Sequence, residues 1–212
     1  MTTLRIAFVG DSLVLGTNDD AFQGWPGRAC QREVDAGHDV SLYNLGVRAE
    51  TSVQVAGRWR AEAAVRLLDI HRTALVFSFG INDIADENGT RRVSLADSLA
   101  TAREMMARAR DWQPTLWVGP TPVNDADQPF QSAPTVSYHF SSGRVAELSD
   151  RFADLAGELG IPYLDLFTPL ASSDDWLASF RPGDGVHPTA TGYAMIAERL
   201  TGWEAWRDWF SG

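Results

Sequence analysis

The chain has little cysteine and little positive charge, and each shortage excludes a class of protein. A single cysteine, Cys30, rules out an intrachain disulfide framework and a cysteine-rich metal site. On a predicted helix, this thiol is expected to be a small apolar group. Lys and Arg total 18 against 28 Asp and Glu, a formal net charge of -10. This balance argues against nucleic acid or an anionic membrane as the main partner.

The chain also lacks a long apolar run, a signal-peptide pattern and any low-complexity tract. The first residues lead from Met1 straight into a short apolar run. We therefore expect a cytoplasmic protein without stable membrane insertion. With no linker and no internal repeat in sight, residues 1–212 are predicted to form a single domain.

Five short apolar runs predict buried strands, and segments of helical period separate them. The strands are predicted at residues 4–9, 39–43, 74–79, 115–118 and 161–166, and helices at 53–70, 95–109 and 145–159. Ser94 is the expected N-cap of the second helix, and Gly160 the residue that closes the third. This alternation predicts an α/β three-layer sandwich, with a mostly parallel five-stranded sheet and helices on both faces.

Two segments break this alternation. Residues 120–140 contain four prolines and no clear period, which predicts a long loop that lines a binding site or, equally well, a floppy excursion. Trp203, Trp206 and Trp209 are spaced three apart. They predict a short amphipathic helix packed on the core, with a homodimer interface as the second interpretation.

Four polar clusters fall where predicted strands end. They are Gly10-Asp11-Ser12, Asn44-Leu45-Gly46, Gly80-Ile81-Asn82-Asp83 and Asp184-Gly185-Val186-His187-Pro188. Ligands of open parallel sheets bind beyond the carboxyl ends of the strands. We therefore expect the four clusters to converge on one crevice.

The residue types in these clusters suit acyl transfer. Ser12 is the candidate nucleophile, His187 its base, and Asp184, three residues earlier, the group that orients the imidazole. The backbone N–H groups of Ser12 and Gly46 and the side-chain amide of Asn82 are the candidate donors to the oxyanion.

Other interpretations of the same residues remain open at this stage. Asp184 and His187 could merely join a loop to a helix, and Asp11 and Asp83 could hold their loops through backbone N–H groups. The spacing of the three aspartates matches no metal-binding motif, so no metal is expected. The remaining histidines are expected to face solvent: His38, His71 and His139.

Together the clusters resemble the conserved blocks of the GDSL, or SGNH, hydrolase family, in order over residues 10–188. The resemblance implies a flavodoxin-like fold, an esterase or lipase activity without cofactor, and the catalytic and oxyanion roles given above. Gly24-Trp25-Pro26 is also of a kind often seen after the first block. Three residues are candidate substrate contacts: Asp11, Trp25 and Arg48.

One departure from the family stands out at Arg48-Ala49, where many members have Ser-Gly. Arg48 could reach the crevice and favour an anionic or polyhydroxyl substrate, or, equally well, it could form an ion pair with Glu50 or another carboxylate.

The expected function is a serine hydrolase of carboxylic esters that works through an acyl-enzyme. Short acyl esters are favoured, with acetylated carbohydrates and lysophospholipids also open. The alternative is a non-catalytic carbohydrate- or acyl-binding protein on the same scaffold. A phosphate-handling domain ranks third, because the chain lacks a Gly-rich phosphate loop.

Overall fold

The structure, a computed structural model, describes residues 1–211. Its strands are β1 (Thr3–Gly10), β2 (Asp39–Gly46), β3 (Thr73–Ser78), β4 (Asp86–Glu87), β5 (Thr90–Arg91), β6 (Thr115–Val118), β7 (Phe130–Ala133), β8 (Val136–His139) and β9 (Tyr163–Leu164). Its α-helices are α1 (Ser12–Leu15), α2 (Gly24–Asp35), α3 (Ser52–Ala64), α4 (Leu95–Arg110), α5 (Ser142–Leu159), α6 (Phe167–Leu170), α7 (Asp174–Ala178), α8 (Ala190–Gly202) and α9 (Glu204–Arg207).

The main sheet is parallel and has five strands in the order β2-β1-β3-β6-β9. From β1 the chain first adds β2 on one side and then crosses to add β3 on the other. The strand order therefore reverses at β1, and the crevice expected at such a reversal lies beyond the carboxyl end of β1. This confirms the predicted α/β class and the five-stranded parallel sheet.

Aromatic side chains show that helices cover both faces of this sheet. Phe8 of β1 contacts Trp25 of α2 and Trp206 of α9, with ring centroids 5.4 and 6.2 Å apart. Phe77 of β3 lies opposite Val9 in the register, so it points to the other face. There it meets Trp59 of α3 at 5.3 Å. The two faces bury separate aromatic clusters.

Several predicted boundaries differ from the structure. The second strand was expected to end at residue 43 but continues to Gly46, because all eight of its residues pair in register with β1. The fifth strand was expected over residues 161–166 but is only two residues long, since it has a single short neighbour, β6. Ser94 caps α4 by accepting from the Asp97 N–H (3.1 Å), and Gly160 ends α5 at φ 64°, as predicted.

Residues 120–140 do not form the irregular loop that was predicted. They contain a 3₁₀ turn (Asp125–Asp127) and the hairpin β7–β8, which pairs with β4 and β5 in a second, antiparallel sheet of order β5-β4-β8-β7. The partner strand β4 lies more than 40 residues earlier in the chain. Local sequence could not reveal this pairing.

The C-terminal tryptophans pack as predicted around α9. Trp206 is fully buried and donates from Nε1 to Glu33 of α2 (2.7 Å), whereas Trp203 and Trp209 are half-buried. The homodimer stays a prediction. Within residues 1–211, no helix is both long enough and apolar enough to cross a membrane.

Candidate active site

The turn after β1 places Ser12 at the first position of α1. Asp11 is the N-cap, and its Oδ1 accepts from the Leu13 N–H (3.0 Å). The helix ends after four residues at Gly16, whose φ of 89° is left-handed and whose backbone packs against Gly24. Ser12 is therefore held at the N-terminus of a buried helical turn, facing the crevice at the edge of the sheet.

Ser12, His187 and Asp184 form one hydrogen-bonded chain. His187 Nε2 lies 2.8 Å from Ser12 Oγ, and His187 Nδ1 lies 3.0 and 3.1 Å from the two carboxylate oxygens of Asp184. Both Ser12 and His187 are buried, at 4% and 6% exposure. The arrangement can move a proton from the hydroxyl to the imidazole while the carboxylate stabilises the resulting charge.

Further donors fix the Asp184 carboxylate. Its Oδ1 accepts from the backbone N–H groups of Val186 (3.0 Å) and His187 (2.8 Å), and its Oδ2 accepts from Asn18 Nδ2 (2.8 Å). Burial alone would raise the pKa of Asp184, but the hydrogen bonds and charge of His187 together with these N–H groups hold that pKa below its usual value. Asp184 is therefore ionised over the range in which an imidazole titrates.

Sequence reasoning missed Asn18. Its amide also donates to the His187 carbonyl oxygen (3.3 Å), so one side chain ties the loop after α1 to the loop that carries the base. Asn18 has φ 70°, a left-handed conformation in which Asn is enriched. A Thr-Asn-Asp run just after Gly16 was the available signal, but it does not reveal a partner 166 residues away.

Gly46 and Asn82, the other predicted oxyanion donors, occupy different surroundings. The Gly46 N–H donates to Asn44 Oδ1 (2.9 Å), and a Cβ at Gly46 would lie 2.3 Å from the Leu15 backbone nitrogen. This glycine therefore serves the close packing of β2 against α1. Asn82 is 5% exposed, lines the crevice and donates from Nδ2 to the Glu50 carbonyl oxygen (3.0 Å).

The crevice is a small cavity of about 30 Å³. One wall comes from the hairpin, and the Phe130 ring lies 5.8 Å from the His187 ring. The segment 120–140 therefore lines the crevice, as expected, although as a hairpin. Its lining residues are Ser12, Arg48, Ala49, Asn82, Phe130, Ser132, Tyr138, Phe140 and His187.

Ala49 also lines the crevice, and sequence reasoning gave it no role. It has φ 61°, in the region that favours glycine. The Arg48-Glu50 ion pair, the structural alternative for Arg48, is not formed. Glu50 instead accepts from Arg58 Nε (2.6 Å), and Arg48 lies exposed at the rim.

Two of the predicted substrate contacts are buried and do not line the crevice. Trp25 is 1% exposed and packs on Phe8 in the core. Asp11 is 1% exposed and caps α1. Burial raises the pKa of Asp11 to about 7; the Leu13 N–H opposes the rise, and the nearby charge of Asp83 adds to it.

Asp83 serves the scaffold, as one of the alternative interpretations held. Its carboxylate accepts from the Ser52 N–H (2.7 Å) and Ser98 Oγ (2.5 Å), which joins α3 and α4 beneath the crevice. Burial raises its pKa as well, against these hydrogen bonds. In the part of the chain that the structure describes, no three His, Cys, Asp or Glu side chains are grouped to hold a metal ion.

The other histidines and the cysteine lie away from the crevice. His71 and His139 are exposed, as predicted. His38 does not simply face solvent, because it is half-buried, accepts from the Thr2 N–H (3.1 Å) and lies 5.1 Å from the Phe210 ring. Cys30 is buried on α2, and burial raises the pKa of its thiol to about 12.

Comparison with known families agrees with this geometry. The family model of the GDSL-like lipase/acylhydrolases matches residues 8–195. The chain belongs to that family. It is therefore an enzyme of the GDSL esterase/lipase class, and ester hydrolysis is the chemistry of the family. No curated protein matches the sequence significantly.

Solved structures of other GDSL-family and esterase proteins share the fold at low identity. A lipase/acylhydrolase from Enterococcus faecalis is 19% identical, with a TM-score of 0.75 over 98% of this chain and 97% of its own. An acetylxylan esterase from Geobacillus stearothermophilus is 17% identical, with a TM-score of 0.68 and 95% of each chain covered. The esterase EstA from Pseudoalteromonas sp., solved with monoethylphosphonate as inhibitor, is 16% identical, with a TM-score of 0.69 over 98% and 99%.

Proposed function

We propose that this GDSL-family enzyme hydrolyses short-acyl carboxylic esters through a covalent acyl-enzyme on Ser12. The observation that carries the proposal is the 2.8 Å contact between Ser12 Oγ and His187 Nε2, with Asp184 on the opposite ring nitrogen. A serine that contacts a carboxylate-oriented imidazole inside a crevice can be deprotonated as it attacks.

Each half of the reaction uses the same imidazole. Ser12 Oγ bonds to the ester carbonyl carbon while His187 takes its proton, and the carbonyl oxygen becomes an oxyanion. The tetrahedral intermediate collapses, the carbon–oxygen bond to the alcohol breaks, and His187 gives its proton to the departing alcohol. Water then attacks the acyl-enzyme with His187 again as base, which releases the acid and restores the Ser12 hydroxyl.

The oxyanion is stabilised in this proposal by the N–H groups of Ser12 and Ala49 and by the side-chain amide of Asn82. What supports this set is that all three residues line the crevice. The N–H groups of Ser12 and Ala49 have no backbone acceptor within residues 1–211. Gly46 is replaced in this role by Ala49, because the Gly46 N–H already donates to Asn44.

A short acyl group fits the hairpin wall. Phe130, Tyr138 and Phe140 line a small cavity of about 30 Å³, an aromatic setting that favours a short acyl chain over a long one. The acetylxylan esterase among the structural neighbours makes acetylated carbohydrate a reasonable class to include in a substrate screen.

The test is turnover of 4-nitrophenyl esters from acetate to dodecanoate by the wild type, Ser12→Ala and the control Ser172→Ala, an exposed serine. We expect acetate to butyrate to be the best substrates and Ser12→Ala to lose at least about 1000-fold in kcat, with an unchanged thermal transition. Mass spectrometry should locate an organophosphonate adduct on Ser12. Ligand binding without turnover, or an adduct elsewhere, would refute the proposal.

A further inference from the structure

A second cavity of about 300 Å³ opens beside the catalytic one, and the two share Arg48 as a lining residue. The rest of its wall is the segment from the end of α1 to the start of α2. The lining residues are Leu15, Gly16, Thr17, Asn18, Asp19, Phe22 and Arg48. The proposed mechanism gives this cavity no role.

The guanidinium of Arg48 is available for a ligand. Within residues 1–211, Arg48 has no ion pair and no side-chain hydrogen bond, although the chain carries a net charge of -10. The two nearest acids along the segment are already engaged. Asp19 binds Arg28 and the N–H groups at residues 21, 23 and 24, and Asp20 binds Arg181 (2.7 Å).

Two further residues make the cavity suited to an organic anion. Phe22 is 92% exposed and is held at φ 55°, a conformation that a bulky residue rarely adopts. Thr17 lines the cavity, and its hydroxyl is buried without a hydrogen-bond partner in the described chain. An exposed ring and an unused hydroxyl beside a free guanidinium offer an apolar face, a hydrogen bond and a charge.

The position of the cavity favours the alcohol half of an ester. Asn18, one of its lining residues, donates to Asp184 and to the His187 carbonyl oxygen, so the cavity lies on the side of the base. The group that His187 protonates is the departing alcohol. The proposed function places the acyl half against the aromatic hairpin wall, which leaves this cavity for the alcohol half.

We propose that Arg48 and the cavity at residues 15–22 form a leaving-group subsite for alcohols that carry a carboxylate or phosphate. The inference rests on the proposed esterase function and deepens it, because it makes short-acyl esters of anionic alcohols the favoured substrates. A guanidinium can pair with either oxyanion through two parallel hydrogen bonds.

The experiment crosses enzyme variants with matched acetate esters. The substrates are 4-acetoxybenzoate, 4-acetoxyphenyl phosphate and the neutral 4-acetoxybenzamide. The enzymes are the wild type, Arg48→Gln, Arg48→Lys and the control Arg32→Gln, an exposed arginine of α2 that contacts Thr201. Comparing ratios between variants cancels the different intrinsic reactivities of the esters.

We expect Arg48→Gln to lower the ratio of kcat/KM for an anionic ester over the neutral one about tenfold, mainly through KM. Arg48→Lys should keep part of the ratio, Arg32→Gln all of it, and added salt should reduce it in the wild type. The anionic ester whose kcat/KM ratio falls further in Arg48→Gln identifies the preferred anion, carboxylate or phosphate.

Two results would overturn the subsite. The first is an anionic-to-neutral ratio that Arg48→Gln leaves within twofold of the wild type for both anions. The second is that Arg48→Gln lowers kcat/KM only for 4-nitrophenyl hemisuccinate, measured relative to 4-nitrophenyl butyrate. This result would place the anion on the acyl side. Turnover of the neutral ester by the wild type tests the esterase proposal separately, so the two failures are distinguishable.

Discussion

The buried carboxyl of Asp11 should make the protein less stable as the pH rises from 4 to 7. Burial raises the pKa of Asp11 from 3.8 to about 7. Between these values the folded chain holds a proton that the unfolded chain has lost, so the free energy of unfolding falls with increasing pH and levels off above 7. Three pKa units correspond to a loss of up to about 4 kcal/mol.

Asp11→Asn should remove this loss and keep the cap. The asparagine oxygen can accept from the Leu13 N–H as the carboxylate does, and the amide never ionises. Near pH 4 the variant and the wild type should therefore be similar in stability. By pH 7.5 the variant should be more stable by an amount approaching 4 kcal/mol.

Urea unfolding at pH 4.5, 5.5, 6.5 and 7.5 measures the difference, with Asp154→Asn, an exposed carboxylate on α5, as the control. The control should follow the wild type at every pH. Parallel stability curves for Asp11→Asn and the wild type would show that Asp11 is ionised in the folded protein without penalty. The reasoning from burial would then be wrong.

Three further predictions concern the catalytic crevice. Ala49→Gly should raise the free energy of unfolding by about 1 kcal/mol, because glycine adopts φ 61° without strain; a less stable variant in thermal unfolding would contradict this. Asn18→Ala should lower kcat about tenfold with KM nearly unchanged, since it removes a donor to Asp184, and unchanged kcat would exclude the positioning role. The kcat/KM for 4-nitrophenyl acetate should fall in acid, because a protonated His187 cannot accept the Ser12 proton, while Asp184, whose pKa is lowered, stays ionised; a flat profile would count against His187 as base.

The convergence of the strand-end clusters could be predicted because a parallel sheet brings all carboxyl ends of its strands to one edge. Ser12 and Asn82 therefore fall in one crevice, and His187 reaches it from the loop before α8, well past the end of β9 at Leu164. The choice of Gly46 followed from its residue type, which suits both an oxyanion donor and a close contact between elements. Only the packing of β2 on α1 shows that the contact with Leu15 is what requires a glycine there.

The hairpin and Asn18 could not be predicted for a related reason. Both depend on partners far along the chain: β8 pairs with β4, and Asn18 binds Asp184. Neither a proline-rich segment nor a Thr-Asn-Asp turn has a sequence pattern that identifies such distant partners. The free state of Arg48 was equally hidden, because it depends on Glu50 binding Arg58 instead.

Local sequence thus determined the alternation of strands and helices, the helix ends at Ser94 and Gly160, and the residues that meet at the sheet edge. Periodicity and capping chemistry act over a few residues, and parallel topology leaves little choice of where strand ends lie. The tertiary structure decided which N–H groups remain free, which acids are neutralised and what closes the crevice. Those properties depend on contacts between distant segments, and a hydrogen-bonding group becomes available only when every nearer partner is already occupied.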